Sequence, residues 1–313
     1  MKLKKVITVA VGMALSIGFL VGCGKTGLDN GSNNGTTKTE KKAKDLKIGV
    51  SLSTLNNPFF VDIQNGVKEL ADEKGSTIKI LDAQDDTAKQ SNDIEDLIQQ
   101  GVDVILVNPV DSSAIVPAVE SANKAGIPVI AIDRGSDGGK ILSTVASNNV
   151  SGGEMAANYI VELLGEKAKV LQLQGTPGAS ATRERGKGFE KIAKEKLTLI
   201  DSQSANFDRA EGLTVTENML QAHKDVAAIF AQNDEMALGA VEAVTASGLK
   251  SVVIVGFDGT DDGLKAIKDG TLSATIAQQP KEMGRLALQA AYDHFDGKDV
   301  KASIDSPVKL IKK

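Results

Sequence analysis

The sequence predicts an α/β protein made of two similar doubly wound parallel-sheet lobes. Two observations predict it. Short runs that are apolar throughout alternate with amphipathic, capped segments, and a strand without a polar face must be covered on both sides. The alternation also repeats itself. Asp103-Val-Ile-Leu-Val-Asn108 leads through a helical segment and Gly126 to Val129-Ile-Ala-Ile-Asp133, while 225–233 leads through another and Gly248 to 252–258. Asn108 to Asp133 spans 25 positions, and so does Asn233 to Asp258. In each half one strand ends in Asn and the next in Asp. Ligands of open parallel sheets lie beyond the carboxyl ends of strands. Two facing half-sites are therefore expected.

The N-terminus is of another kind. Lys2, Lys4 and Lys5 precede an apolar run from Val6 to Val21. Sixteen residues at ~1.5 Å each reach ~24 Å, short of a ~30 Å hydrocarbon core. A basic head, a short apolar stretch and a small-residue exit read as a signal peptide over 1–22. The Leu20-Val21-Gly22-Cys23 junction resembles a bacterial lipobox, which implies that the Cys23 thiol carries a lipid and anchors the chain to a membrane. Residues 23–45, rich in Gly, Ser, Asn, Thr and Lys, read as a flexible tether.

From Lys47 the elements follow in turn. Lys47–Leu52 is a strand. Asn57 and Pro58 have the form of a cap and first helical residue, with Phe60, Ile63, Val67 and Leu70 at helical spacing and Gly75 as the stop. Strands are expected at 77–81, 104–107 and 128–132, with helices at 87–100 and 112–125. Beyond Ser147, helices near 151–164, 181–193, 209–221 and 234–246 intersperse strands near 169–173, 197–202, 226–231 and 252–255, and 280–295 is a last long helix.

Composition removes several functions. The chain carries a net charge of −5, which loss of the three signal lysines takes to −8, so nucleic acid is not the expected partner. One cysteine allows no internal disulfide, and two histidines without a second thiol leave no thiolate or multi-histidine metal site. No phosphate-binding Gly-rich loop, dinucleotide fingerprint, Gly-x-Ser-x-Gly elbow or calcium loop is present, and neither His223 nor His294 sits at a strand end. An enzyme is not expected, and no cofactor is implied.

What remains is a set of residues at strand ends and adjoining loops: Asn57, Phe59, Phe60, Asn108, Asp133, Arg134, Arg183, Arg185, Phe207, Asn233, Phe257, Asp258 and Gln278. Of the seven Phe beyond the signal segment, four fall here. Carboxylates with paired acceptors and guanidiniums with paired donors grip vicinal hydroxyls, and phenyl faces pack on the C–H faces of a sugar ring. Each residue also has a plainer use. Asn57 fits a helix cap, Asp133-Arg134 fits a turn pair, Arg185 fits a salt bridge with Glu184 or a helix-face charge, Arg183 a surface charge, Phe257 a core position, Phe207 a loop plug and Gln278 a hinge group.

Ser53-Thr-Leu-Asn-Asn-Pro-Phe-Phe60, Arg183-Glu-Arg-Gly186, Ala231-Gln-Asn-Asp-Glu-Met-Ala-Leu-Gly-Ala240, Val255-Gly-Phe-Asp-Gly259 and Ala274-Thr-Ile-Ala-Gln278 resemble the D-ribose-binding proteins of bacterial ABC importers, within the type I periplasmic binding protein family. The resemblance runs from about Lys47 to the C-terminus. It implies sugar contacts at Asn57, Phe59, Phe60, Asp133, Arg134, Arg185, Phe207, Asn233, Phe257, Asp258 and Gln278, with Asn108 beside the site. It implies an N-terminal lobe of 46–147 plus 279–307 and a C-terminal lobe of 148–278 plus 308–313. Three crossovers, near Ser147, Gln278 and Pro307, would form the hinge. It also implies a monomer that captures D-ribose outside the cytoplasm, at the outer face of the cell membrane, and hands it to the permease of an ABC importer. The same residue types would serve another monosaccharide or a furanosyl signalling molecule. A sugar-responsive repressor of this fold needs an N-terminal helix-turn-helix, where this chain has a signal and a tether. Departures from the resemblance lie at the N-terminus and in Gly135–Lys140.

Overall fold

The computed structural model describes residues 41–313. The signal peptide, Cys23 and most of the expected tether lie outside the described residues. The last tether residues are tied down. Ala43–Asp45 form a 3-10 turn, the Ser76 hydroxyl donates to the Ala43 carbonyl, and Lys41 pairs with Asp103. The next residue, Leu46, is buried in the core and holds this segment against the protein.

Two six-stranded sheets form, each with the doubly wound order. In the first, β1 (Lys47–Leu52), β2 (Thr77–Asp82), β3 (Val104–Val107), β4 (Val129–Ile132), β5 (Ser143–Ser147) and β11 (Ser303–Ser306) lie in the order β11-β5-β4-β3-β1-β2, all parallel. In the second, β6 (Lys169–Gln174), β7 (Thr198–Ser204), β8 (Ala228–Ala231), β9 (Val253–Asp258), β10 (Ala274–Ala277) and β12 (Lys309–Lys312) lie in the order β12-β10-β9-β8-β6-β7. Here β12 runs antiparallel to β10, an edge that the all-parallel expectation did not include. The chain reaches it over two residues from β11, at the last passage between the sheets. The chain thus passes between sheets three times: after Ser147, after Ala277 and after Ser306.

The expected helices form. They are α1 (Pro58–Lys74), α2 (Thr87–Gln99), α3 (Val116–Lys124), α4 (Asn149–Leu164), α5 (Ser180–Lys196), α6 (Arg209–Ala222), α7 (Asp234–Ser247) and α9 (Pro280–Phe295). α1 shows why the local code succeeds. Asn57 caps it, Pro58 opens it, Gly75 ends it at φ 74°, and Phe59, Phe60, Ile63, Val67 and Leu70 are buried. α3 begins four residues later than expected, because Asp111 accepts from the Ser113 and Ala114 amides and holds a separate turn before it. The structure adds five further elements: α8 (Asp261–Asp269), β5, β10, β11 and β12. α9 returns from the second sheet to the first, where Met283, Ala287 and Leu288 join the core of β1, β4 and α1. Its sheet has a core on each face, and so has the second sheet.

Candidate ligand-binding cleft

The carboxyl ends of the two sheets face one another. A small cavity of about 10 Å³, room for a single water, lies between them. Asn57, Phe59, Phe60, Asp133 and Arg134 line it from the first lobe, and Ala181, Arg185, Phe207, Asn233 and Asp258 from the second. It opens through Asn57, Phe60, Arg134 and Phe207 to a mouth of about 90 Å³, where Thr54, Asp85, Asp208 and Arg209 are found.

Asp133 and Asp258 each follow or end a central strand, and both hold a backbone that side-chain-bearing residues rarely adopt (φ 64° and 123°). Each has an arginine beside it. Arg134 Nε lies 3.6 Å from Asp133 Oδ2, and Arg185 Nη1 lies 3.7 Å from Asp258 Oδ1. All four side chains are at least 95% buried, so charge is balanced while the ions stand too far apart to be fully hydrogen-bonded to each other. Burial pushes both carboxyls up, Asp258 well above its ordinary value, against the pull of Arg134 on Asp133 and of Arg185 on Asp258. Burial pulls Arg134 down in turn.

The arginines are held differently. Arg185 comes from α5, which approaches α4 so closely that a Cβ on Gly153 would sit 2.2 Å from the Arg185 carbonyl oxygen. Its Nε donates to Asn149 Oδ1 at 2.9 Å, its Nη1 donates to the Gln232 carbonyl at 2.6 Å, and its guanidinium covers the Phe257 ring at 3.8 Å. Arg134 donates only to the Pro109 carbonyl and lies about equally far from the rings of Phe60 and Phe207, 5.1 and 5.0 Å. Phe60 and Phe207 come from different lobes, so that guanidinium bridges the cleft.

Nine of the eleven expected contact residues line the cavity. The other two lie one layer out. Phe257 is fully buried beneath Arg185, and Gln278 donates to Asp258 Oδ1 at 2.7 Å. Asn57 does cap its helix, accepting from Phe59 N, and Asn233 is found to cap α7, accepting from Met236 N. Asn233 also donates to the Phe207 carbonyl and so fixes that loop. Arg183 is exposed, and pairs with Asp137 of the other lobe.

Asn108 and Asn233 are not equivalent, contrary to the sequence echo. Asn108 N donates to Ser51 O and Gln232 N to Leu173 O; Asn108 Oδ1 accepts from Ser53 N and Gln232 Oε1 from Gly175 N. The partner of Asn108 is therefore Gln232, while the two aspartates do correspond. Asn108 braces Asp133 from behind, spending its amide on the Ile132 carbonyl and Asp133 Oδ2. Sequence reading missed Gln232, Asn149 and Ala181, although Gln232 stands beside Asn233 in the same motif.

Two buried polar atoms of the lining lack a hydrogen-bond partner, Asp133 Oδ1 and Arg134 Nε; Gln278 Oε1, one layer out, also lacks one. Such atoms cost roughly 1–3 kcal/mol each unless a ligand or water meets them. An open acceptor and an open donor beside phenyl rings match a ligand that both donates and accepts and has apolar faces. His223 and His294 do not line the cavity, and no acidic, histidine or cysteine cluster suited to a metal occurs among the described residues.

A family model described as a periplasmic binding protein domain matches residues 48–299. The ribose import binding protein RbsB of Bacillus subtilis is 57% identical over 267 residues, 85% of this chain and 87% of that protein. Its namesake from Haemophilus influenzae is 50% identical over 265 residues, 84% and 90% of the two chains. Among solved structures, a Caulobacter myo-inositol binding protein bound to myo-inositol superposes with a TM-score of 0.82 at 34% identity, over 86% of this chain and 93% of that one.

Proposed function

We propose, since the chain belongs to the periplasmic binding protein family, that its two lobes close on D-ribose outside the cytoplasm and present it to the permease of an ABC importer. The observation that carries this reading is the pair of buried, unpartnered polar atoms, Asp133 Oδ1 and Arg134 Nε, in the lining of a charge-balanced cavity. A charged ligand would upset two carboxylates already matched by two guanidiniums, whereas an uncharged polyol supplies a hydroxyl to each open donor and acceptor. Phe59, Phe60 and Phe207 supply flat faces for its C–H groups.

Arg134, Phe60 and Phe207 close the cavity from the mouth, so a sugar enters only when the lobes part about their three crossovers. Contacts from both lobes are made only in the closed state, and that difference in affinity drives closure. The protein acts as a carrier and not as a catalyst, works as a monomer, and is held to the outer face of the cell membrane by a lipid on Cys23. Replacing Cys23 by Ser should release it from membranes with ligand affinity unchanged; continued membrane retention would count against the lipid anchor.

Titration calorimetry with D-ribose, L-arabinose, D-glucose and myo-inositol tests the ligand. Tight one-to-one binding of D-ribose with much weaker binding of the others is expected. Equal heats for all four would defeat the ribose assignment, and preference for myo-inositol would favour the second reading, a carrier for another neutral polyol, which the 34%-identical inositol-bound relative supports.

A further inference from the structure

Asp234 is fully buried, carries a charge, and touches neither the cavity nor an arginine by hydrogen bond. It opens α7, where the amide-rich helix start favours a carboxylate. Its Oδ2 accepts from Gly259 N at 2.9 Å, Thr260 N at 2.8 Å and Thr260 Oγ1 at 3.1 Å, and its Oδ1 accepts from Thr275 Oγ1 at 2.7 Å. The surrounding backbone is shaped to admit it. A Cβ on Gly256 would lie 2.3 Å from Oδ1, and one on Gly263 would lie 2.3 Å from Oδ2.

What Asp234 grips is the turn directly after Asp258. That residue holds φ at 123°, and Gly259 follows at 76°. Nothing intrinsic to an aspartate keeps it there. The two amides that follow it are fixed on a carboxylate, and the opposite side of the same carboxylate is fixed on β10 through Thr275. We propose that Asp234 is a positioning residue for ligand capture: it holds the 258–260 turn so that the Asp258 carboxylate meets the sugar at fixed depth beside Arg185. The proposal deepens the sugar-binding reading and rests on it. The equivalent position in the first lobe is Val110, whose amide is met by Gln90 Oε1, so the device belongs to one half-site only.

Purified protein titrated with D-ribose tests this. Asp234→Ala removes the grip, and should weaken binding by at least about tenfold in protein that still melts cooperatively. Asp234→Asn keeps an acceptor for the turn amides and a donor for Thr275, and should stay within about threefold of wild type. Wild-type affinity in folded Asp234→Ala, or a loss in Asp234→Asn as large as in Asp234→Ala, would overturn the proposal. Should Asp234→Ala fail to fold, hydrogen exchange of the Gly259 and Thr260 amides in the unliganded wild type decides. Strong protection supports a turn pinned before ligand arrives, and exchange as fast as an exposed loop overturns it. A wild type indifferent to D-ribose defeats the sugar reading instead, and the same exchange measurement still judges the turn.

Discussion

The two lobes place equivalent aspartates at equivalent strand ends and secure them by different means. Asp258 sits in a half-site completed within its own lobe. Gln278 donates to it, Asp234 fixes the following turn, and its arginine is held by Asn149 and the Gln232 carbonyl. Asp133 sits in a half-site finished from across the cleft. The amide of Gly135, which ends its turn, donates to the Ser180 hydroxyl of the second lobe, and Arg134 stacks on Phe207 of that lobe. Ser112 adds two more bonds across the same edge, to Gly178 and Ser180. The half-site of the second lobe is thus complete within that lobe, and the half-site of the first is completed by contacts from the second. In the closure proposed above, one half would supply affinity at first contact, while the other would make affinity depend on closure.

Breaking the half-site complete within its own lobe should cost most. Arg185→Ala leaves Asp258 buried without its cation, and takes the donors from Asn149 Oδ1 and the Gln232 carbonyl. We expect a loss of about 3 kcal/mol or more, roughly a hundredfold or greater in Kd by calorimetry, with a lower Tm in the unliganded protein. Arg134→Ala should weaken sugar binding by roughly tenfold to a hundredfold, with a smaller change in Tm, because its only protein hydrogen bond is to Pro109. A Tm loss equal to that of Arg185→Ala would erase the contrast between the lobes.

Ser180→Ala should act more gently. It removes the hydroxyl that meets Gly135 N, a bond made only when the lobes touch. About 0.5–1.5 kcal/mol, a few-fold in Kd, should appear as faster ligand release with the unliganded Tm unchanged. A drop in the unliganded Tm would show the bond already in place without sugar.

The smallest effect is in pH. Burial raises the Asp234 carboxyl to about 6, against the bonds from Thr275, Thr260 and Gly259. The folded chain then takes up this proton before the unfolded chain does, so the contribution of Asp234 to unliganded stability grows as pH falls from about 6 towards about 4. The Tm difference between wild type and Asp234→Asn should change across that window; a constant difference would remove the titration from Asp234. Sugar affinity should run the other way, weakening in acid as the raised Asp133 and Asp258 carboxyls protonate and lose an acceptor.

Much of this was legible in the chain itself. Phe60, Ile63, Val67 and Leu70 at helical spacing, between Asn57-Pro58 and Gly75, announce α1 because caps and periodicity act over a few residues. The buried strands β3, β4, β8 and β9 read as apolar runs because both faces are covered. Residue type at strand ends pointed to Asp133 and Asp258, since few other places suit such groups, whereas Arg185 lies inside α5. Only the tertiary structure decided the rest. It shifted the Asn echo by one residue, because register is set by which strand lies alongside and not by counting along the chain. It placed Phe257 under Arg185, and it joined Asp234 to a turn 25 positions away. Those roles depend on partners distant in sequence, and on how much burial raises the cost of leaving a charge or an amide unmet, neither of which a local pattern encodes.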